Sequence, residues 1–293
     1  MKTFWKMFLR SIAVAFCAAL VWFVMIRADS EAQNDITISW TVAATPKLYI
    51  GVIPYMTEQS LKNELGPVVA YLGKHIGREV SINVASDYEA LGRLLDLGKV
   101  QMGWFSSTSF DLLNTAGVWE VLCRPLRDGK AGHSGVIVTR ADSAIKTLAD
   151  LKGHRFAYVD RFSGTGFVQV NAFFRTQHID PLSFFSEVVL TGNHALSIES
   201  LMKGEVDGAA VFDVFGDPAE ASSSMTANLI CLASTGSILN DPLVVRKDMD
   251  SALKMQLREL LINISNYDDG KEVIAELKRL RHWNAFIPGD QNP

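Results

Sequence analysis

The sequence predicts an α/β protein of two lobes, each a mostly parallel sheet flanked by helices, with a ligand cleft between the lobes. Three observations carry this. Residues 47–104 and 154–212 each read as strand, helix, strand, helix, strand, which is the grammar of a parallel sheet with helices on its faces. The second unit echoes the first: a helix opened by Asp87-Tyr88 runs to Gly98-Lys99-Val100, and one opened by Asn193-His194 runs over the same length to Gly204-Glu205-Val206. Polar and aromatic residues gather at the strand ends, where open α/β sheets bind ligands.

In order, residues 47–53 read as a short strand ending in Pro54-Tyr55, and 61–77 as an amphipathic helix closed by Gly77. Residues 79–85 alternate as a strand, 89–97 form a helix stopped by Gly98, and 100–104 form the next strand. The second unit has strands 154–159, 187–190 and 206–212 with helices 167–177 and 195–203 between them. A strand-rich middle (135–140) and a return segment (241–247) supply two crossings between lobes, and helices 252–264 and 271–280 are expected to pack back on the first lobe. This places lobe 1 at 46–130 and 236–293, and lobe 2 at 131–235.

The N-terminus carries Lys2, Lys6 and Arg10 ahead of an apolar run over residues 11–26, with small residues near Ser30 and Ala32. Residues 1–32 therefore read as a secretory signal peptide or, with Arg27 holding the run in place, as a retained N-terminal membrane anchor. The remaining chain of roughly 260 residues suffices for two modest domains. A net charge of −4 with both signs mixed excludes a basic nucleic-acid face. Cys123 and Cys231 are expected as two separate buried thiols rather than a disulfide. No Cys or His spacing suggests a metal, and no cofactor motif is present: the chain lacks a Walker lysine, a Gly-x-Ser-x-Gly elbow and a zinc-binding helix.

The most suggestive segment is Val159-Asp160-Arg161-Phe162-Ser163-Gly164-Thr165-Gly166-Phe167, a strand running through a loop into a helix. The first amides of such a helix have no backbone acceptor and the dipole is positive there, which suits an anion. Ser163 is a good N-cap, Thr165 adds a hydroxyl, and Gly164 and Gly166 would let a ligand approach the backbone. Tyr55, Tyr88, Trp104 and Ser106 of the first unit, and His194 and Asp213 of the second, fall at strand ends or helix starts facing the same cleft, with Asp241 on the return segment. Each also has a plain structural reading: core tyrosine, capping histidine, turn aspartate.

Taken together, Ile50-Gly51-Val52-Ile53-Pro54-Tyr55, Ala85-Ser86-Asp87-Tyr88, Trp104-Phe105, Thr191-Gly192-Asn193-His194, Asn240-Asp241-Pro242-Leu243 and Trp283-Asn284-Ala285-Phe286 stand in a characteristic order. In this the chain resembles the periplasmic substrate-binding proteins of phosphonate and phosphite ABC transporters, which have the type II two-lobed periplasmic binding protein fold. The resemblance implies that Ser163, Gly164, Thr165, Tyr88 and His194 hold the oxygens of a small phosphorus oxyanion, delivered to an inner-membrane permease. It departs from the family at Gly164, where a threonine is usual, and at Gly132-His133, where an aromatic is usual. Asp241 and Asp213 are placed to meet a substrate amine or the proton of a singly protonated anion. Two other readings stand beside transport: a ligand sensor tethered through residues 11–26 and coupled to a signalling receptor, and a phosphoester-processing enzyme using His194.

Overall fold

The computed structural model describes residues 46–213 and 228–290. The expected signal or anchor therefore lies outside the described residues. The first unit is β1 (Leu48–Val52), α1 (Glu58–Ile76), β2 (Val80–Val84), α2 (Tyr88–Asp96) and β3 (Met102–Trp104), followed by the short α3 (Ser107–Leu113). The chain then runs out along β4 (Trp119–Arg127) and enters the second sheet along β5 (Gly132–Arg140). The second unit is β6 (Arg155–Tyr158), α4 (Gln169–Thr176), α5 (Pro181–Phe184), β7 (Glu187–Leu190), α6 (His194–Met202) and β8 (Gly208–Phe212). β9 (Leu229–Leu239) returns toward the first sheet, which β10 (Leu243–Arg246), α7 (Ser251–Ile262), α8 (Asp268–Arg281) and β11 (Trp283–Pro288) complete.

The first sheet has the order β11-β4-β10-β3-β1-β2 and the second β7-β6-β8-β5-β9. In each, the first strand of the repeat lies between the other two and pairs with both in parallel, β1 with β2 and β3, β6 with β7 and β8. The echo read from the sequence is thus a structural repeat. Its helices α2 and α6 each have nine residues, and each is capped by the side chain before it, Asp87 accepting from the Ala90 amide and Asn193 from the Leu196 amide. Antiparallel strands extend both sheets, β4, β10 and β11 in the first and β5 and β9 in the second.

β9 continues to Leu239, past the 235/236 boundary read from the sequence, because Leu239 still pairs with Gly132. Cys231 lies on this edge strand and is exposed, whereas Cys123 is buried; both are free thiols, so the expected burial holds for one of them only. The period-2 pattern of β5 sends Val136 and Val138 to one face of the second sheet and Ile137 to the other, where it joins Phe156, Tyr158 and Phe174. The tail helices pack on the first lobe: Tyr71 of α1 donates to the Leu260 carbonyl at 3.1 Å, and Asp269 of α8 meets Lys74 and His75.

Candidate functional site

Where the carboxyl ends of the two sheets face one another, a cavity of about 30 Å³ is lined by residues of both lobes and of the crossings. On that measure it has room for roughly two waters, so the lobes are closed on each other. Direct contacts hold them there. The His194 amide at the start of α6 donates to the Tyr55 carbonyl at 3.0 Å, and the Ser106 hydroxyl, which caps α3, lies 3.5 Å from the Phe162 carbonyl. The Tyr88 phenol faces the Ser163 hydroxyl, and the Asp160 carboxylate lies beside the Tyr88 amide.

The Ser163 turn differs from the expected helix start. The helix begins at Gly164 with one wide π-helical turn, Gly164–Val168, before α4 continues it. Ser163 takes up two amides, its Oγ accepting from Gly166 at 3.0 Å and its carbonyl from Val168 at 2.9 Å. The amides of Gly164 and Thr165, which no intrahelical carbonyl can take, remain for a ligand. Bulged turns of this type recur at functional sites because they re-aim the groups beside them. The glycines serve packing rather than ligand approach. A Cβ on Gly164 would stand 2.6 Å from Thr108 Oγ1 of the opposite lobe and 2.8 Å from Ile238, and one on Gly166 would stand 2.5 Å from Val159.

Of the residues read from the sequence, Tyr55, Tyr88, Ser106, Ser163, Thr165, His194 and Asp241 line the cavity. Gly164, Gly166, Trp104 and Asp213 do not. Trp104 lies beneath it, stacked on Trp283 with ring centres 4.9 Å apart and donating its indole N–H to the Asp241 carbonyl at 3.2 Å, so it positions Asp241. Asp213 bonds Arg127 at 2.5 Å and the Ser134 amide at 2.9 Å, tying the first crossing to the end of β8. Burial opposes its ionisation, but Arg127 and the Ser134 N–H outweigh that and hold the carboxyl below its ordinary range.

The lining also contains residues that sequence reasoning did not assign to the site: Arg281, Arg127, Phe212, Asn240 and Trp283. Arg281, the last residue of α8, is the most consequential. Its side chain is 12% exposed and its guanidinium lies over Tyr55, Trp283 and Phe212 at 4.6, 5.1 and 5.5 Å from the ring centres. A basic residue in the last turn beside the Trp283-Asn284-Ala285-Phe286 motif was the available signal.

Three polar atoms facing this region are buried without a hydrogen-bond partner: His194 Nδ1, Asp241 Oδ1 and Arg281 Nε. Burial pushes the His194 imidazole down to about 3, with nearby His133 and Arg281 adding to the effect, so the ring is neutral at pH 7. Burial raises the Asp241 carboxyl above its ordinary value, against the pull of His133 and Arg281. Burial likewise raises the Tyr88 phenol, which stays a donor. The arrangement offers donors from a helix terminus, the Tyr88 phenol and a guanidinium, together with one carboxylate oxygen; the Tyr55 hydroxyl is spent on Glu64. That set is complementary to an oxyanion carrying one proton.

Among curated proteins the chain is 24% identical, over 236 residues, to the phosphonates-binding periplasmic protein of Escherichia coli K12, covering 78% of this chain and 70% of that protein. A binding-protein component of a phosphonate ABC transporter from Pseudomonas aeruginosa superimposes with a TM-score of 0.75 at 21% identity, covering 83% of this chain and 81% of that one. PhnD1 of Prochlorococcus marinus, solved with methylphosphonate, gives a TM-score of 0.73 at 17% identity, covering 83% and 92%. These likenesses confirm the two-lobed binding-protein fold. The model for the periplasmic substrate-binding proteins of phosphonate ABC transporters matches residues 50–292, and the chain belongs to that family.

Proposed function

We propose that this chain, a substrate-binding component of an ABC transporter, captures a small phosphorus oxyanion in the cavity between its lobes and presents the closed form to a membrane permease. The observation that carries this reading is the convergence of three unpartnered buried atoms with a free helix terminus on one small cavity. A buried polar atom without a partner costs on the order of 1–3 kcal/mol, which a bound ligand would recover. In this reading the Gly164 and Thr165 amides and the Ser163 and Thr165 hydroxyls take the phosphoryl oxygens. Tyr88 and neutral His194 donate from the two α2-type helix starts, and Asp241 accepts the anion's acidic proton. Sulfate, fully ionised, offers Asp241 no proton and is rejected by an unpaired carboxylate.

Capture and release need no bond-making: closure of the lobes about the crossings both retains the ligand and alters the surface shown to the permease. Residues 1–32 would serve export to the periplasm, the compartment of the family.

The test is thermal unfolding of the chain from Gln33 onward with methylphosphonate, phosphite, phosphate or sulfate added singly. A ligand at 100 times its Kd adds about 2.7 kcal/mol to stability. A phosphorus anion is expected to raise the midpoint while sulfate does not; no shift with any phosphorus anion would remove the reading.

A further inference from the structure

Arg281 sets the site apart. Among the described residues its guanidinium makes no hydrogen bond; Glu64 Oε2 forms an ion pair with it at 3.7 Å from Nε, beyond hydrogen-bonding distance, and itself accepts from the Tyr55 hydroxyl at 3.2 Å. A guanidinium carries five N–H donors and a charge that no accessible pH removes. Held between Tyr55, Trp283 and Phe212, it cannot swing out to water. Opposite it, the helix terminus that would hold the anion lacks a side-chain hydroxyl at Gly164, where Thr108 and Ile238 leave no room for one.

The geometry points to Arg281 as a specificity-determining residue: it binds an anionic oxygen of the ligand and excludes ligands that carry an ammonium group, so the site takes compact phosphorus oxyanions without an amine. This rests on the proposed function. Three features support it. The cavity is small, so a phosphoryl group reaching the Ser163 turn also lies within reach of the guanidinium side. Arg281 Nε and Asp241 Oδ1 require an acceptor and a donor from the ligand, which one hydrogen-phosphonate or phosphite anion supplies. An ammonium substituent would meet a fixed cation, and the nearby acids are engaged: Glu64 faces Arg281 itself and receives Tyr55, Asp213 is paired with Arg127, and Asp241 takes the anion's acidic proton.

Calorimetric titration of the purified chain with methylphosphonate, ethylphosphonate and aminomethylphosphonate tests this, the last two differing only by methyl against ammonium. The wild type is expected to bind ethylphosphonate at least tenfold more tightly than aminomethylphosphonate. Arg281→Met should weaken methylphosphonate at least tenfold and shrink the ethyl-to-aminomethyl ratio below threefold, while Arg281→Lys, which keeps the charge, keeps the ratio. Equal binding of the two matched ligands by the wild type, or undiminished methylphosphonate binding by a folded Arg281→Met, overturns the inference and leaves the proposed function standing. If Arg281→Met does not fold, the wild-type ratio and Arg281→Lys decide. Failure of the wild type to bind methylphosphonate, phosphite and phosphate alike sinks the proposed function, and the inference with it.

Discussion

His194 shows how burial turns an ordinary residue into a site group. As the first residue of α6 it has its amide spent on Tyr55 and its ring edge-on to Phe212, with 3% of its surface exposed. Its depressed titration makes a signed prediction. Above the ordinary value of 6.5 the ring is neutral in folded and unfolded chain alike. As pH falls below 6.5 the unfolded chain takes up a proton that the folded chain refuses until about 3, so stability drops across that window. At about 1.36 kcal/mol per unit, the loss between pH 6.5 and pH 5 approaches 2 kcal/mol. Urea unfolding of the ligand-free protein should show this extra slope in the wild type and not in His194→Gln; parallel pH profiles would refute it. At this scale the sequence was partly legible. Tyr88, Ser163 and His194 sit at helix starts, a local pattern, whereas Arg281 reaches the cavity through the fold from the end of an amphipathic helix whose neighbours Lys278 and Arg279 are also basic.

Among the elements, the Ser163 turn converts a sequence oddity into a packing fact. Gly164 abuts Thr108 of α3 and Ile238 of β9 when the lobes are shut. Gly164→Ala would fold, since φ is ordinary there, but would press on Thr108 of the opposite lobe and on Ile238 and force the lobes apart by overpacking that typically costs about 1–3 kcal/mol. Ligand affinity should fall about tenfold or more, and Thr108→Ala in the same chain should recover most of it. A double variant as weak as the single one would show that the contact does not govern closure. The repeat units were readable because their apolar periods are clean and their helices end at Gly77, Gly98 and Gly204. β4 and β9 were not bounded, because Arg124, Pro125 and Arg127 interrupt the first and Ser234, Thr235, Gly236 and Ser237 dilute the second. Their strand state comes from pairing across the sheets, which local propensity does not report.

Closure of the whole molecule depends on how the two crossings are tied, and Asn240 is the knot. Its side-chain amide donates to the Pro125 and Lys130 carbonyls at 2.9 Å each, and its backbone amide donates to Ala131. Its own carbonyl accepts from Arg124 and Ser107, and its Oδ1 lies 3.1 Å from His133. The outgoing strand β4, the turn into β5 and the return from β9 are thus fastened at one buried residue, next to Asp241 of the cavity. Asn240→Ala would strip the buried Pro125 carbonyl of this donor and the Lys130 carbonyl of one of its two donors, a cost on the order of 1–3 kcal/mol. Because both lobes keep their own cores, this loss should fall on the angle between them. Small-angle scattering is expected to show a larger radius of gyration for the ligand-free variant than for the wild type, with saturating ligand restoring the wild-type value at a higher concentration. The restoring concentration measures the shift, since a ligand that binds only the closed form has its apparent Kd divided by the closed fraction. If Asn240→Ala melts earlier yet keeps both the wild-type radius and the wild-type affinity, the crossings do not set the closed angle, and the lobe contacts at His194, Tyr88 and Gly164 alone must hold it.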